Sequence, residues 1–206
     1  MIRPINGKVF KPINKTLLEP PMKTDSRTLI FDLETNGLLN DVTQIHCIAY
    51  HESDRDEISS FNDECPGKGM SSSITNAVCY LQHADCIIGH NIIGYDLPVI
   101  KKLYPFFEYN GTVIDTLLLS RLYHTRLYEL DKKFNWPYMP LQLYGRHSLE
   151  SYGYRLGEYK GNFSKTTDWK EWSQEMEDYC VQDVEVTKKL WKHFHHYLDG
   201  SKWSTR

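Results

Sequence analysis

The order of strand-like and helix-like segments is the feature that most limits what this 206-residue chain can fold into. Three runs of strand-forming residues, 28–34, 44–50 and 57–61, lie close together, and the charged turn 52–56 joins the last two. Beyond them, apolar residues at helical spacing alternate with two short strand-like runs, 86–89 and 112–114. A hairpin followed by this alternation predicts an α/β fold, in which a mixed five-stranded sheet has helices on both faces.

The helical segments divide the rest of the chain. Helices are expected around 74–81, from about 95 to 103, from a cap at Asp115 through Leu122, and from roughly Trp169 to Leu198. Residues 123–147 have no clear period and are expected to be irregular. Residues 1–27, which hold four of the nine prolines, predict an extended N-terminal arm before a domain at 28–198 and a tail at 199–206.

Composition excludes several classes of protein. With 40% apolar and 25% charged residues the chain is globular, and no run approaches the ~18–20 apolar residues of a membrane span, so we expect no membrane partner and a cytoplasmic location. Five cysteines without a C-x-x-C pair indicate neither a disulfide framework nor a zinc knuckle. A net charge of −3 argues against sequence-independent binding of duplex nucleic acid over the whole surface. A partner could still be bound at a local site or through metal ions.

Asp32 and Glu34 are the first candidate functional residues. They are two positions apart at the end of a predicted strand, so both carboxylates lie on one face of the sheet. Neighbouring carboxylates repel each other unless a cation lies between them. An Asp-x-Glu pair also arises by chance, and a second copy, Asp183 and Glu185, lies on a predicted helix where the two side chains diverge.

Two further motifs carry polar side chains to positions where they can meet that pair. His90, Asn91, Tyr95 and Asp96 follow the buried strand 86–89 and open a helix. Tyr179 and Asp183 are four apart and share one face of the final helix. Taken singly, each motif also fits an ordinary role, as turn and capping residues or as a solvated helix face.

Taken together and in this order, the motifs D-x-E, N-x-x-x-Y-D and Y-x-x-x-D resemble the DEDDy family of 3′→5′ exonucleases, whose fold is ribonuclease H-like. Residues 113–121 and 147–158 look like the proofreading domain of family A DNA polymerases of the T7-like bacteriophages. The resemblance covers about residues 28–198. It would place the protein in the cytoplasm of a host cell if a phage encodes it.

The resemblance implies a two-metal site for phosphodiester hydrolysis. Asp32 would bridge two Mg²⁺ or Mn²⁺ ions, Glu34 and Asp183 would complete the first site, and Asp96 would hold the second ion. Tyr179 would orient the attacking water, because an ordinary phenol pKa near ~10 suits a positioning group better than an ionised base.

The same resemblance implies residues that receive the 3′ end of single-stranded DNA: Thr35, Leu38, His90, Asn91 and Tyr95. Leu38 would wedge between terminal bases, although an ordinary core position is an alternative for this leucine. Segment 121–147 interleaves basic and aromatic residues and could follow a single strand. Packing of these aromatics on one another, or docking on a polymerase, are alternatives for that segment.

The sequence therefore predicts a metal-dependent 3′→5′ exonuclease that acts on single-stranded or frayed DNA. Nothing after Arg206 could supply a polymerase domain, so we expect a proofreading partner of a separately encoded polymerase or a solitary nuclease. Two alternatives remain at this point: a 3′→5′ exoribonuclease that uses the same acids, and a non-catalytic module that docks on a polymerase.

Overall fold

A mixed five-stranded sheet runs through the centre of the protein. The computed structural model describes residues 27–64, 73–158 and 168–199. Its strands are β1 (Thr28–Thr35), β2 (Ile45–Glu52), β3 (Ile58–Phe61), β4 (Cys86–Gly89) and β5 (Thr112–Asp115), in the spatial order β3-β2-β1-β4-β5. The predicted arm 1–27 falls almost wholly outside the described residues, as does the tail beyond 199.

β1 lies in the middle of the sheet and separates two kinds of pairing. β1 and β3 are both antiparallel to β2, whereas β1, β4 and β5 run parallel to one another. The carboxyl ends of the three parallel strands therefore meet at one edge, where polar side chains that follow each strand come together. The register of β1 against β2 shifts between Glu34 and Thr35, at that same edge.

Six α-helices cover the sheet in the described part of the chain. They are α1 (Ile74–Gln82), α2 (Asp96–Leu103), α3 (Thr116–Tyr123), α4 (Leu127–Phe134), α5 (Leu149–Leu156) and α6 (Gln174–Leu198). Side chains of Ser73, Asp115, Ser148 and Ser173 accept backbone N–H groups at the start of α1, α3, α5 and α6. These caps satisfy donors that a helix cannot pair internally, and the predicted cap at Asp115 is confirmed.

The alternation of β1 side chains builds a separate core on each face of the sheet. Leu29, Phe31 and Leu33 pack with apolar residues of α1 and α2, whereas Ile30 packs with α6 on the opposite face. α6 has two apolar stripes: Met176, Cys180 and Val184 lie on the sheet, and Val186, Leu190 and Phe194 pack against α5 and the start of α4. The predicted α/β fold, a mixed sheet with helices on both faces, is confirmed.

The structure corrects two helix predictions. α4 lies inside the segment 123–147 that was expected to be irregular, and a 3-10 turn, Leu141–Leu143, follows it. The final helix begins at Gln174 instead of near Trp169, because Ser173 caps it through a hydrogen bond from the Met176 N–H. None of the described helices is both long enough and apolar enough to cross a membrane.

Candidate active site

A cleft of about 260 Å³ opens at the carboxyl edge of the parallel strands. Its walls come from β1, the loop after β4, the start of α2, the turn before α6, and α6 itself. All predicted site residues except Thr35 and Leu38 line it, and Leu33 and Trp169 join them. The lining residues are Asp32, Leu33, Glu34, His90, Asn91, Tyr95, Asp96, Trp169, Tyr179 and Asp183.

Three carboxylates converge at the centre of this cleft. Asp32, Glu34 and Asp183 each offer one carboxylate oxygen, and these three atoms lie within 4.8 Å of one another. Asp32 and Glu34 share the β1 face that looks toward α6, as the period of two requires. α6 is fixed there partly by the Cys180 thiol, which donates a hydrogen bond of 3.4 Å to the Asp32 carbonyl. Glu185 lies outside the group and pairs with Lys188 instead.

Asp96 lines the same cleft but lies outside the group of three oxygens. It is the first residue of α2 and only 4% exposed. Burial raises the pKa of its carboxyl well above the usual value, and the negative charge of Asp32 raises it further. Asp32 and Asp96 therefore act on each other electrostatically, and a cation between them would relieve the cost of ionising both.

The loop between β4 and α2 is held by a carboxylate from the neighbouring strand. Asp115, at the end of β5, accepts the backbone N–H of Asn91 at 2.9 Å and of Ile93 at 3.2 Å while it caps Leu117 and Leu118 of α3. Asn91 has a φ of 67°, a left-handed conformation that Asn tolerates better than most residues. The sequence predicts that Asp115 caps α3, but only the structure shows that the same carboxylate accepts hydrogen bonds from this loop.

The orientation of His90 follows from a second contact with α3. Thr116 Oγ1 donates to the Gly89 carbonyl at 3.1 Å, so its lone pairs accept the hydrogen of His90 Nδ1 at 2.9 Å. Gly89 has no room for a side chain, since a Cβ there would lie 2.2 Å from Cγ2 of the buried Ile92 and 3.0 Å from the Phe31 carbonyl oxygen. The backbone can thus turn from β4 into the cleft only because residue 89 is glycine.

Tyr95 and Thr35 form a polar contact at one side of the cleft. The Tyr95 hydroxyl lies 2.5 Å from Thr35 Oγ1 and 2.6 Å from the Gly37 carbonyl oxygen, and burial raises the pKa of this phenol. Thr35 itself is buried and does not line the cleft. Leu38 is 76% exposed, so the alternative of a core position is wrong for this residue.

Tyr179 lines the cleft from α6, one turn before Asp183, and an aromatic neighbour restricts it. The Trp169 ring meets the Tyr179 ring edge-on, with ring centroids 6.3 Å apart. His46 Nε2 lies 3.1 Å from the Trp169 carbonyl oxygen and ties this turn to β2. The sequence predicts Trp169 as the start of the final helix, and no local pattern distinguishes it from the other tryptophans.

The donor set of the cleft suits a hard divalent cation. Carboxylate oxygens are the ligands that Mg²⁺ and Mn²⁺ prefer, whereas a zinc or copper site would draw on imidazole or thiolate. The described residues that line the cleft include four acids and no Lys or Arg. The residues present therefore fit one or two hard divalent ions.

A family model and two phage DNA polymerases match the sequence of this chain. Residues 29–195 match the family model of the RNase H superfamily. The chain is 33% identical over 184 residues to a DNA-directed DNA polymerase of Enterobacteria phage T3 and 32% identical over 184 residues to that of Escherichia phage T7. Each alignment covers 79% of this chain and 26% of the polymerase, so the chain spans about a quarter of the length of these relatives.

A solved structure of Brucella melitensis NrnC with bound Mg²⁺ shares the fold. It superposes with a TM-score of 0.58 at 19% sequence identity, covering 86% of this chain and 76% of NrnC.

Proposed function

Because this chain belongs to the RNase H superfamily, we propose that its acidic cleft makes it a metal-dependent 3′→5′ exonuclease that releases nucleoside monophosphates from single-stranded or frayed DNA. The observation that carries this proposal is the convergence of the Asp32, Glu34 and Asp183 carboxylate oxygens to within 4.8 Å. Acids separated by up to 151 positions in the sequence meet in one cleft, at the edge of the sheet where a substrate would enter.

DNA is the proposed substrate because the matched relatives from phages T3 and T7 are DNA polymerases. Because both matched relatives are polymerases, we further propose that the chain serves a phage-type polymerase as its proofreading component. A mispaired terminus frays at a smaller cost than a paired one, and a cleft that accepts a single strand would therefore select mispaired ends.

In this proposal Asp32, Glu34 and Asp183 would hold one Mg²⁺ or Mn²⁺ ion, and Asp96 with Asp32 would hold a second. Bound ions of this kind lower the pKa of water and neutralise charge on the scissile phosphate. Burial and then the negative charge of Asp32 raise the pKa of Asp96, and a cation shared by the two carboxylates would offset their repulsion.

The side chains around the acids have separate proposed tasks. Tyr179 orients the attacking water by hydrogen bonding, and its contact with Trp169 limits the positions that the phenol can take. Asn91 and His90 receive the terminal nucleotide from the loop that Asp115 holds. Tyr95, held by Thr35 and the Gly37 carbonyl, borders the same pocket, and the exposed Leu38 is free to contact a terminal base.

Replacing both Asp32 and Glu34 by Ala should abolish Mg²⁺-dependent release of mononucleotides from a 5′-labelled single strand. Glu185→Gln is the matched control, because Glu185 belongs to the second Asp-x-Glu copy but, unlike Asp183, lies outside the group of three converging oxygens. The control should keep wild-type activity, and far-UV circular dichroism should show both variants folded. Full activity in the double variant would overturn the assigned site.

The exoribonuclease alternative is tested with matched DNA and RNA oligonucleotides of one sequence. Degradation of the DNA strand at ten or more times the rate of the RNA strand is the expected result. Preference for RNA would replace DNA by RNA as substrate while leaving the acids in their roles, because the two activities differ in how a 2′-hydroxyl is received. No hydrolysis of either strand would favour the non-catalytic docking module.

A further inference from the structure

We propose that an exposed ridge on α3 and α4, formed by Leu118, Arg121, Leu122, Tyr128 and Lys132, guides the single DNA strand on the 5′ side of the nucleotide being removed. The inference rests on the proposed exonuclease function and extends its substrate contact beyond the cleft. We call this surface the α3–α4 ridge.

The ridge begins at the rim of the cleft. Asp115 bonds the backbone of Asn91 and Ile93 at the rim and, through the same carboxylate, the first N–H groups of α3. The N-terminus of α3 is therefore fixed beside the loop that carries Asn91. A strand whose 3′ end lies in the cleft can pass directly from this loop onto α3.

The face that α3 turns to solvent has an apolar character. Leu118 is 49% exposed and Leu122 is 65% exposed, and Arg121 is also exposed. Spacings of three and four residues put these side chains on one face of the helix. Ile93, in the loop whose backbone Asp115 holds, is also 49% exposed. α3 contains no acidic residue that would repel a phosphate.

Two contacts link α3 to α4 through the segment that follows α4. Ser120 Oγ lies 2.6 Å from His147 Nδ1, and the pKa of His147 is lowered by burial and then by the charges of Arg155 and Arg121. Ser120 precedes Arg121 on α3, so its contact with His147 joins α3 to the end of the segment that follows α4. Gly145, two residues earlier, has a φ of 74° and packs against Tyr128, where an added Cβ would lie 2.9 Å from the Tyr128 Cβ.

Tyr128 and Lys132 form the far end of the ridge. Lys132 Nζ lies 4.7 Å from the centre of the Tyr128 ring, and the tyrosine is 50% exposed. A half-exposed aromatic ring beside a cation is the pairing that proteins use for a single strand, because bases stack on the ring and phosphates bind the cation. The net charge of −3 means that phosphate affinity has to come from such a local group.

Oligonucleotides of two lengths test whether the ridge binds single-stranded DNA or a protein partner. A strand of three nucleotides would fill the cleft alone, whereas one of twelve would also reach the ridge. We would measure the affinity of each labelled oligothymidylate by fluorescence anisotropy in EDTA, where hydrolysis does not occur. The variants are Arg121→Ala with Lys132→Ala, and Leu118→Ser with Leu122→Ser. Lys101→Ala, an exposed position on α2 at the opposite face of the sheet, is the control.

Both ridge variants should bind the twelve-nucleotide strand on the order of tenfold more weakly than wild type. Their affinity for the three-nucleotide strand should stay within about twofold of wild type. The control variant should bind both strands within about twofold of wild type. Loss of two phosphate contacts should also reduce the slope of log affinity against log salt by about 1.4. Wild-type affinity for the long strand in both variants, or equal losses for both lengths, would overturn the ridge proposal.

Failure of the exonuclease proposal is a separate result. Wild-type protein that leaves DNA intact in Mg²⁺ would overturn the proposed function, while the binding measurements in EDTA would still decide whether the ridge holds a strand. Loss of binding to a phage-type polymerase in the ridge variants, with unchanged affinity for the long strand, would assign the surface to a protein partner and overturn the proposal.

Discussion

Asp96 illustrates the cost of burying a carboxyl beside another acid. Its carboxyl is almost fully buried, and burial and then the Asp32 charge raise its pKa. An acid whose pKa is higher in the folded state destabilises that state once it must ionise. The loss of stability begins as pH rises through the unfolded value near ~3.9 and increases until the folded pKa is passed.

Asp96→Asn should therefore stabilise the metal-free protein at pH 7 while abolishing metal-dependent hydrolysis. Each kcal/mol of relieved repulsion should raise Tm by roughly 2–4 °C in a chain of this size. Thermal unfolding in EDTA checks the prediction, and the gain should vanish near pH 3.5, where the wild-type carboxyl is protonated in both states. A lower Tm for the variant at pH 7 would show that the carboxylate makes a net favourable contact.

Individual site residues differ in how far the sequence could predict them. Asp32 and Glu34 could be placed on one face because the period of a strand is fixed by backbone geometry. Asp183 and Tyr179 share a helix face for the same kind of reason. Trp169 could not be placed, because its position in the cleft depends on a hydrogen-bonded turn that packs against β2, 123 residues away from His46.

Among the elements, α4 and the turns after it depend on one buried ion pair. Asp131, 1% exposed, accepts hydrogen bonds from Arg155 Nε at 2.9 Å and Nη2 at 2.7 Å, from Trp136 Nε1 at 3.0 Å, and from the Gly145 N–H at 2.7 Å. Burial alone would raise the pKa of Asp131, but the hydrogen bonds from Arg155 and Gly145 outweigh it and the pKa is lowered. α4, α5 and the intervening segment are thereby joined at one carboxylate.

Asp131→Asn should destabilise the protein by about 3–5 kcal/mol, because Arg155 would remain buried without its counter-charge. The pair contributes stability above the unfolded pKa near ~3.9, and that contribution is lost as pH falls through the lower folded pKa. Urea unfolding from pH 3 to 7 should therefore show the two proteins converging at the acidic end. Glu129→Gln, an exposed acid on the same helix, is the control and should change stability by less than about 0.5 kcal/mol.

The buried hydrogen-bonded cluster around Asp131 explains why the sequence does not predict α4. Local spacing predicts strands and helices well where one face is continuously apolar, as in β1 and α6. In α4 only Leu127 and Asp131 are buried, so no apolar stripe marks the helix. α4 is stabilised by hydrogen bonds of Asp131 with Arg155 and Gly145. These partners lie outside the helix, so the local sequence pattern does not reveal them. The start of α6 was missed for a related reason, since the cap at Ser173 is a single residue.

At the scale of the whole molecule, the proposed cation site would link folding to cation binding. A ligand that binds only the folded state stabilises it by RT ln(1 + [L]/Kd), about 2.7 kcal/mol at a hundredfold excess over Kd. The cleft exists only when β1 and α6 are packed together, so Mg²⁺ and Mn²⁺ should bind the folded protein alone.

Adding saturating Mg²⁺ or Mn²⁺ should raise Tm by roughly 5–11 °C, from about 2.7 kcal/mol at 2–4 °C per kcal/mol. Differential scanning fluorimetry at constant ionic strength checks this, with NaCl replacing the divalent salt in the control. The Asp32→Ala, Glu34→Ala variant should lose the shift, and Glu185→Gln should keep it. An equal shift in all three proteins would place the cation outside the cleft.

The packing of α6 onto β1 also bears on synthesis by the ribosome. Asp32 is among the first described residues to be translated and Asp183 among the last, 151 positions later. At about 5–20 residues per second, roughly 8 to 30 seconds separate the two events. A nascent chain can therefore bring the three carboxylates together only late, when its final helix emerges and delivers Asp183.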